Sequence, residues 1–241
     1  MILRMLGEAA ALLDNQTLVL ADLHIGFESE LVEKGIKIPD QTPKILKRIS
    51  DLKDGSEAKR LVVLGDLKHS VPRMGMMSWF LVPRFMERVV RMFEEVILIP
   101  GNHDGDIEPL IPRGVRVLPV HGTSMSDVWL THGHAKLPED ALKKKMILMG
   151  HLHPAVQLTD VSGYTYTYRV WLRGRLKIKP ESEVLIFPAF NEYMGQLLLN
   201  KSGWSDVDRG PIFSEETMEI GKLDVETLDL IYLGKLEELT T

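Results

Sequence analysis

The sequence predicts an α/β fold in which polar residues gather at one edge of a sheet. Short apolar runs alternate with amphipathic segments along the first 150 residues, a pattern typical of strands separated by helices. Five of these runs end directly in an aspartate, asparagine or histidine. In α/β folds ligands bind at the carboxyl ends of the strands, so we expect these polar residues to meet in one place.

Each of the five runs is brief, rich in leucine or branched residues, and bounded by residues typical of loops, so each predicts a buried strand. In chain order they are residues 18–21 before Asp22, 61–65 before Asp66, 96–101 before Asn102, 128–131 before His132, and 146–150 before His151. Glycine precedes Asp66, Asn102 and His151, and its conformational freedom would let the backbone turn sharply there.

Two helices are predicted between these strands. Thr42 is expected to cap the first helix and Pro43 to open it. The apolar positions that keep helical spacing in this segment are Ile45, Leu46, Ile49 and Leu52. The second helix has on one face Phe85, Met86, Val89, Val90 and Phe93.

After His153 the apolar pattern changes to longer alternating segments. In residues 164–179 the even positions are apolar or aromatic and the odd positions are mostly basic, which predicts a half-buried strand or a hairpin turning near Gly174. No repeat or clear linker divides the sequence, so we predict a single domain over residues 1–241. Residues 1–153 carry the motifs, and residues 154–241 are expected to add strands and an acidic C-terminal segment.

Composition limits the chemistry that the chain can perform. A chain of 241 residues can bury a core without covalent links, and the absence of cysteine excludes disulfides and thiolate metal sites. The net charge is -5, but residues 205–241 hold 10 of the 34 acidic and 3 of the 29 basic residues. The rest of the chain is therefore near neutral, and its charge neither supports nor excludes nucleic acid as a partner.

No apolar run approaches the ~20 residues that a membrane span needs, and no basic N-terminal segment precedes an apolar stretch. We therefore expect a soluble, cytoplasmic protein with no membrane partner, and the sequence indicates no oligomeric state. A group of apolar residues after Asp66 could form a dimer contact or a lip over the site, although core packing is the simpler expectation. These residues are Met74, Met76, Met77, Trp79, Phe80 and Leu81.

Seven of the eight histidines lie in or beside the strand-end segments. The segments are Asp22-Leu23-His24, Gly65-Asp66-Leu67-Lys68-His69, Gly101-Asn102-His103-Asp104, His132-Gly133-His134 and Gly150-His151-Leu152-His153. One such motif is commonly a structural turn, but all of them together predict a metal centre. Two cations ~3.5–4 Å apart can clamp a phosphate and hold a water between them, and they need one shared ligand within a set of imidazoles and oxygens.

The order of these motifs resembles that of the calcineurin-like metallophosphoesterase superfamily over about residues 18–153. The resemblance implies a four-layer α/β/β/α sandwich with the site at its upper edge. It implies two metal ions that share Asp66 as a bridging ligand. The first metal would be held by Asp22, His24, Asp66 and His153, and the second by Asp66, Asn102, His132 and His151.

The same resemblance implies a phosphodiesterase reaction. A metal-bridging hydroxide would attack phosphorus, His103 would protonate the leaving alkoxide, and Asp104 would orient the His103 imidazole. We expect manganese first, while iron, zinc or nickel also suit nitrogen and oxygen ligands. The alternatives are a phosphomonoesterase, a small-nucleotide hydrolase, and a non-catalytic scaffold on the same fold.

Residues 65–70 and 188–192 look like those of a prokaryotic subgroup encoded beside DNA ligases or large superfamily-two helicases. This likeness implies a nuclease role in DNA repair or RNA processing, with nucleic acid as substrate and a helicase or ligase as partner. Arg169 and Trp171 could then contact a phosphate backbone and stack a base, although a solvated strand face is the slightly favoured alternative.

Besides His103, three histidines lie outside the implied ligand set. His69 is interpreted as a substrate contact or as a residue that holds a ligand, with an ordinary loop residue as the alternative. His134 could be an alternative ligand, a residue that supports a ligand, or a surface residue, and we favour the supporting role. His121 has no motif partner and is expected to be structural.

Overall fold

Two β-sheets packed face to face occupy the centre of the structure. The computed structural model describes residues 1–69, 76–201 and 209–239, without the side chains of residues 76–78. The first sheet contains, in spatial order, β1 (Leu3–Met5), β2 (Ala10–Leu13), β3 (Thr17–Leu20), β4 (Arg60–Val63), β5 (Glu95–Leu98) and β6 (Val115–Val117). Strand β2 is antiparallel to both β1 and β3, and strands β3 to β6 are parallel to one another.

The second sheet mixes parallel and antiparallel strands. Its strands are β7 (Thr123–Met125), β8 (Val128–Thr131), β9 (Met146–Met149), β10 (Pro154–Thr159), β11 (Thr165–Arg175), β12 (Glu183–Ile186), β13 (Leu197–Leu198), β14 (Asp224–Thr227) and β15 (Tyr232–Lys235). They are arranged in the order β13-β10-β11-β12-β9-β8-β7, and β14 pairs with both β11 and β15. Because β8, β9 and β12 are parallel, their carboxyl ends lie at the same edge.

Side chains alternate between an inner core and two outer cores. Val19, Val62 and Ile97 of the first sheet pack against Leu130 and Leu148 of the second. Their sequence neighbours point outward into separate clusters. Both faces of these strands are therefore covered, which explains why the five predicted runs are apolar without interruption. All five are strands, three in the first sheet and two in the second.

Helices cover the outer faces of the two sheets unequally. The helices are α1 (Glu28–Glu33), α2 (Thr42–Ser56), α3 (Met76–Val90) and α4 (Glu139–Leu142). Helices α2 and α3 supply Ile49, Phe85 and Val89 to the core outside the first sheet. Outside the second sheet lie α4 and the short 3-10 helices Ile220–Lys222 and Leu236–Leu239. The predicted α/β fold is confirmed, with a thin helical layer on this second face.

The first predicted helix begins as expected but is capped differently. Thr42 is the first helical residue, and its backbone N–H donates to Asp40 Oδ1 over 2.8 Å. The preceding Gln41 makes no side-chain cap. Thr42 Oγ1 has no hydrogen-bond partner among the described residues, so the predicted Thr42 cap was wrong and Asp40 supplies the side-chain acceptor at this end of the helix.

Of the two interpretations of residues 164–179, the strand is confirmed and the hairpin turning near Gly174 is wrong. The even positions Val170, Leu172 and Leu176 are buried as predicted, but the tyrosines before them are not. Strand β11 continues past Gly174 to Arg175. Residues 165–169 pair with β10 alone, whereas residues 170–173 pair with β14, and residues 172 and 173 also pair with β12. Tyr164, Tyr166 and Tyr168 are consequently exposed at 68%, 50% and 41%, while Trp171 is buried within the two-sheet core.

The apolar group that follows Asp66 is only partly described. Met74 lies outside the described residues, as do the side chains of Met76 and Met77. Trp79 and Phe80 are exposed at 48% and 54%, so core packing was the wrong expectation for these two residues. Among the described residues, no helix is long and apolar enough to span a membrane.

Candidate metal centre

Most of the predicted metal ligands have a backbone conformation that non-glycine residues rarely adopt. Five of the seven have positive φ angles, a region in which the Cβ atom crowds the backbone. These are Asp22 (58°), His24 (44°), Asp66 (50°), His151 (76°) and His153 (47°). Such conformations occur where the surrounding structure imposes them, commonly at functional sites.

The glycines before the ligands serve two different purposes. Gly65 has a φ of 78° and turns the chain as predicted. Gly101 and Gly150 do not have positive φ angles, and they provide space instead. A Cβ on Gly101 would lie 2.1 Å from Asp66 Oδ1, and one on Gly150 would lie 2.6 Å from Ala21 Cβ. Glycine is therefore needed at these two positions for close approach rather than for a turn.

Asp22, His24, Asp66 and His153 form the first half of the site. Each offers one ligand atom, and the four atoms lie within 4.8 Å of one another. His24 Nε2 is 3.5 Å from Asp66 Oδ2 and 3.2 Å from His153 Nε2. Two carboxylates and two imidazoles that converge on one point are a suitable donor set for a divalent cation.

The second half of the site lies on the opposite side of Asp66. His132 Nε2 is 3.4 Å from Asp66 Oδ1 and 3.1 Å from Asn102 Oδ1. The His151 ring lies beside it, with 5.0 Å between the two ring centres. Asp66 thus presents Oδ2 to the first half and Oδ1 to the second, the arrangement required of a bridging carboxylate.

Backbone carbonyls orient two of the imidazoles. His132 Nδ1 lies 2.7 Å from Leu64 O, and His153 Nδ1 lies 2.9 Å from Gly195 O. A carbonyl can only accept, so Nδ1 carries a proton and donates, and Nε2 is the nitrogen that faces the carboxylates. Metal-binding histidines are commonly fixed in this way.

Burial and mutual charge interactions shift the pKa values of Asp66, His132 and His24. Burial would raise the pKa of Asp66, but the adjacent His132 and His24 hold it far below its usual value. Burial would lower the pKa of His132, yet the Asp66 carboxylate raises it to about 9. Burial and the neighbouring His153 lower the pKa of His24. The metal-free site therefore holds a proton at His132 that a cation must displace.

His103 is placed next to the predicted ligands with an accessible ring nitrogen. Its Nε2 lies 3.9 Å from Asp66 Oδ2, and its side chain is 28% exposed. Its Nδ1 donates to His69 O over 2.6 Å. That bond leaves Nε2 facing the site, where it could act on a bound phosphate.

The role predicted for Asp104 was wrong. Its carboxylate accepts hydrogen bonds from the backbone N–H groups of Gly101, Lys68 and Leu67, at 2.9, 3.1 and 3.2 Å. The His103 imidazole is oriented by the His69 carbonyl instead. Burial raises the pKa of Asp104 to about 6. Asp104 therefore connects the loop after β4 to the loop after β5.

The three remaining histidines occupy different environments. His69 contacts the site directly, with its Nδ1 3.3 Å from His24 Nδ1. His134 lies beside two predicted ligands, with its ring centre 5.2 Å from that of His132 and 6.2 Å from that of His151. His121 lies on the surface, where its Nδ1 is 3.2 Å from Lys136 O.

Arg169 and Trp171 are not available to bind nucleic acid in the way envisaged. Trp171 is 1% exposed and packs edge-on against Phe187, with 4.7 Å between ring centres, so it cannot stack on a base. Arg169 is partly buried and donates to Ala189 O over 2.8 Å. It therefore supports the loop at residues 188–192.

That loop supports the first ligand segment, a role that the sequence did not indicate. Phe190 N donates to Ala21 O over 2.9 Å, and Asn191 N donates to Asp22 O over 3.2 Å. Asn191 Nδ2 donates to Leu23 O over 3.0 Å, and its side chain is fully enclosed. No local pattern in residues 188–192 predicts these contacts, because their partners lie about 170 residues away in the sequence.

Comparison with known proteins identifies the family of the chain. The sequence profile of the calcineurin-like phosphoesterase family matches residues 16–190, and the chain belongs to that family. The chain is similar to phosphodiesterase YfcE of Escherichia coli strain K12, with 29% identity over 112 residues. That alignment covers 44% of this chain and 61% of the relative, which is less than two thirds of its length.

The fold is also similar to that of a solved nuclease. The crystal structure of Pseudomonas putida nuclease MPE superposes with a TM-score of 0.57 and 21% sequence identity. The superposition covers 94% of this chain and 92% of the other. At this identity the likeness concerns the fold alone.

Proposed function

We propose that this protein is a two-metal phosphodiesterase. The observation that carries the proposal is the position of Asp66, whose two carboxylate oxygens face two separate groups of imidazole and oxygen donors. Two divalent cations, when bound, would supply Lewis-acid stabilisation of the phosphate and a hydroxide nucleophile at neutral pH. Nitrogen and oxygen donors without sulfur suit manganese, iron, zinc or nickel, and manganese is the first candidate to test.

His103 is the residue best placed to assist the leaving group. Its Nδ1–H is held by the His69 carbonyl, so Nε2 is the nitrogen that can exchange a proton with substrate. In its protonated form, Nε2 would donate a hydrogen bond to a phosphate oxygen and then transfer its proton to the departing alkoxide. His103 N also donates to Asp66 Oδ1 over 2.9 Å, so the proposed acid and the proposed bridging ligand are held together.

A phosphodiester is favoured over a phosphomonoester because the similar E. coli protein is named a phosphodiesterase. A nucleic acid strand is the narrower candidate, because the structure with the similar fold is titled a nuclease. The subgroup likeness of residues 65–70 and 188–192 supports a role in DNA repair or RNA processing, in association with a ligase or helicase. A phosphomonoesterase or small-nucleotide hydrolase remains the competing function, since the same donor set serves all of them.

The proposal is tested by assaying metal-stripped protein with bis-p-nitrophenyl phosphate and with p-nitrophenyl phosphate, before and after Mn²⁺ is added. We expect metal-dependent turnover that prefers the diester and is lost in Asp66→Asn. His121→Gln, a surface histidine change outside the site, should retain full activity. Preference for the monoester would favour the competing function. Absence of turnover by any metal-loaded form, on these esters and on single-stranded and duplex DNA and RNA, would contradict the proposal.

A further inference from the structure

Glu30, His69 and His24 form a row that runs from the surface to the metal centre. His69 Nε2 is 2.5 Å from Glu30 Oε2, and His69 Nδ1 is 3.3 Å from His24 Nδ1. At the other end of its ring, His24 Nε2 is 3.5 Å from Asp66 Oδ2. Side-chain exposure falls along the row from 47% to 18% to 2%.

The partners determine the direction of each hydrogen bond. A carboxylate can only accept, so His69 Nε2–H donates to Glu30. A neutral imidazole carries one N–H, which leaves His69 Nδ1 as an acceptor. The matching donor is His24 Nδ1–H, and the lone pair of His24 then resides on Nε2, which faces Asp66.

Glu30 is held as the acceptor that this row requires. Lys34 Nζ contacts its Oε1, while His69 occupies its Oε2. These two contacts lower the pKa of Glu30 to about 2. Glu30 therefore stays ionised near neutral pH. It has no proton to donate to His69, so the direction of their hydrogen bond is fixed.

We propose that Glu30 and His69 are positioning residues that fix the tautomer of His24, so that its Nε2 lone pair faces the metal site. The inference rests on the metal-binding part of the proposed function. A neutral imidazole can carry its proton on either nitrogen, and the opposite tautomer would present an N–H to the cation. A side-chain change at His69 keeps the carbonyl that orients His103, so the two effects can be separated.

A competing role for His69, as a direct metal ligand, makes the proposal testable. Ligand nitrogens of His24, His69 and His103 also lie within 4.8 Å of one another, close enough to hold a cation themselves. In that case His69 would be a direct ligand and Glu30 would merely neighbour it. If His69 were a direct ligand, His69→Ala would abolish one metal-binding event. The proposal predicts instead that this event is weakened but still present.

The test is calorimetric titration of metal-stripped protein with Mn²⁺. We expect His69→Ala and Glu30→Ala to weaken one of two binding events by about 10- to 100-fold, as is typical when a partner of a metal ligand is removed. His69→Asn should restore most of the affinity, because an asparagine oxygen can accept near the position of Nδ1. Adding Glu30→Ala to His69→Asn should then have little further effect. Glu33→Ala removes the same charge from an exposed position on α1 and should leave both events unchanged.

Proton–nitrogen correlation NMR of the histidine rings provides a readout independent of affinity. In metal-free and Zn²⁺-loaded wild type we expect His24 to carry its proton on Nδ1, and in metal-free His69→Ala we expect mixed tautomers. Unchanged Mn²⁺ affinity in Glu30→Ala and His69→Ala would refute the positioning role of these two residues and leave the proposed two-metal site intact. Wild type that binds no Mn²⁺ would instead overturn the metal site itself. Three binding events in wild type would assign His69 as a ligand and refute the positioning role.

Discussion

Replacement of His103 by asparagine separates the proposed acid from the metal ligands. The asparagine amide can still donate to His69 O, as Nδ1 does, but it has no group at the position of Nε2. His103 N keeps its bond to Asp66 Oδ1, since that bond belongs to the backbone. We therefore expect His103→Asn to bind Mn²⁺ with unchanged affinity.

The expected loss in kcat depends on the leaving group. General acid catalysis contributes about 100- to 10,000-fold, which corresponds to about 2.7–5.5 kcal/mol of transition-state stabilisation. A nitrophenolate leaves readily without a proton, so the variant should lose little on a nitrophenyl diester. A nucleoside alkoxide needs protonation, so the full loss should fall on a dinucleotide, provided that wild type cleaves it.

The assay compares kcat for the two diesters in wild type and His103→Asn at saturating Mn²⁺. A loss of similar size on both substrates would refute the role of His103 in leaving-group protonation. It would indicate instead that the residue stabilises charge on the phosphate. Calorimetric titration with Mn²⁺ serves as the control, because a weakened metal site would also lower kcat on both substrates.

Four further predictions concern the site and its supports. Gly101→Ala should weaken Mn²⁺ binding by about 10-fold or more in calorimetry, because the new Cβ would lie 2.1 Å from Asp66 Oδ1. Asn191→Ala should lower the free energy of unfolding in urea by about 1–3 kcal/mol, since it removes the buried donor to Leu23 O. The pKa of His132 is raised to about 9, so its ring is protonated below that pH and must lose a proton when a cation binds. Mn²⁺ affinity should therefore increase as pH rises from 7 to 9. Binding at pH 7 that releases no proton, measured by calorimetry in different buffers, would contradict this. Each site occupied by Mn²⁺ at about 100 times its Kd should stabilise the fold by about 2.7 kcal/mol and raise the Tm by roughly 5–11 °C, and EDTA should reverse the shift.

The strand-end pattern was readable from sequence because it is local. An apolar run that stops at a ligand-type residue fixes both the strand and the place where the side chain emerges, as at Asp66 and His132. The division of these runs between two sheets could not be read in the same way. Strands covered on both faces have the same apolar sequence whichever neighbours they pair with.

Residues 164–179 show where local reasoning failed. A regular alternation predicts two faces but not which one is covered, and here the cover changes along the strand. Tyr166 lies in the hairpin with β10, whereas Trp171 lies where β11 pairs with β14 and the first sheet covers that face. Glu30 was missed for a related reason, because its approach to His69 spans 39 residues and depends on tertiary structure.

The unusual backbone at the ligands explains why the site is built on buried strands. A residue held at positive φ costs about 1–3 kcal/mol, so the surroundings must enforce it. Asp22 N donates to Gly65 O over 3.2 Å, and His24 N donates to Asp66 O over 2.8 Å, so the first two ligand loops hold each other. Asn191 holds the first of these loops from the opposite side. The ligand geometry is therefore set by backbone hydrogen bonds between loops that follow rigid strands, which would preorganise the site before any cation binds.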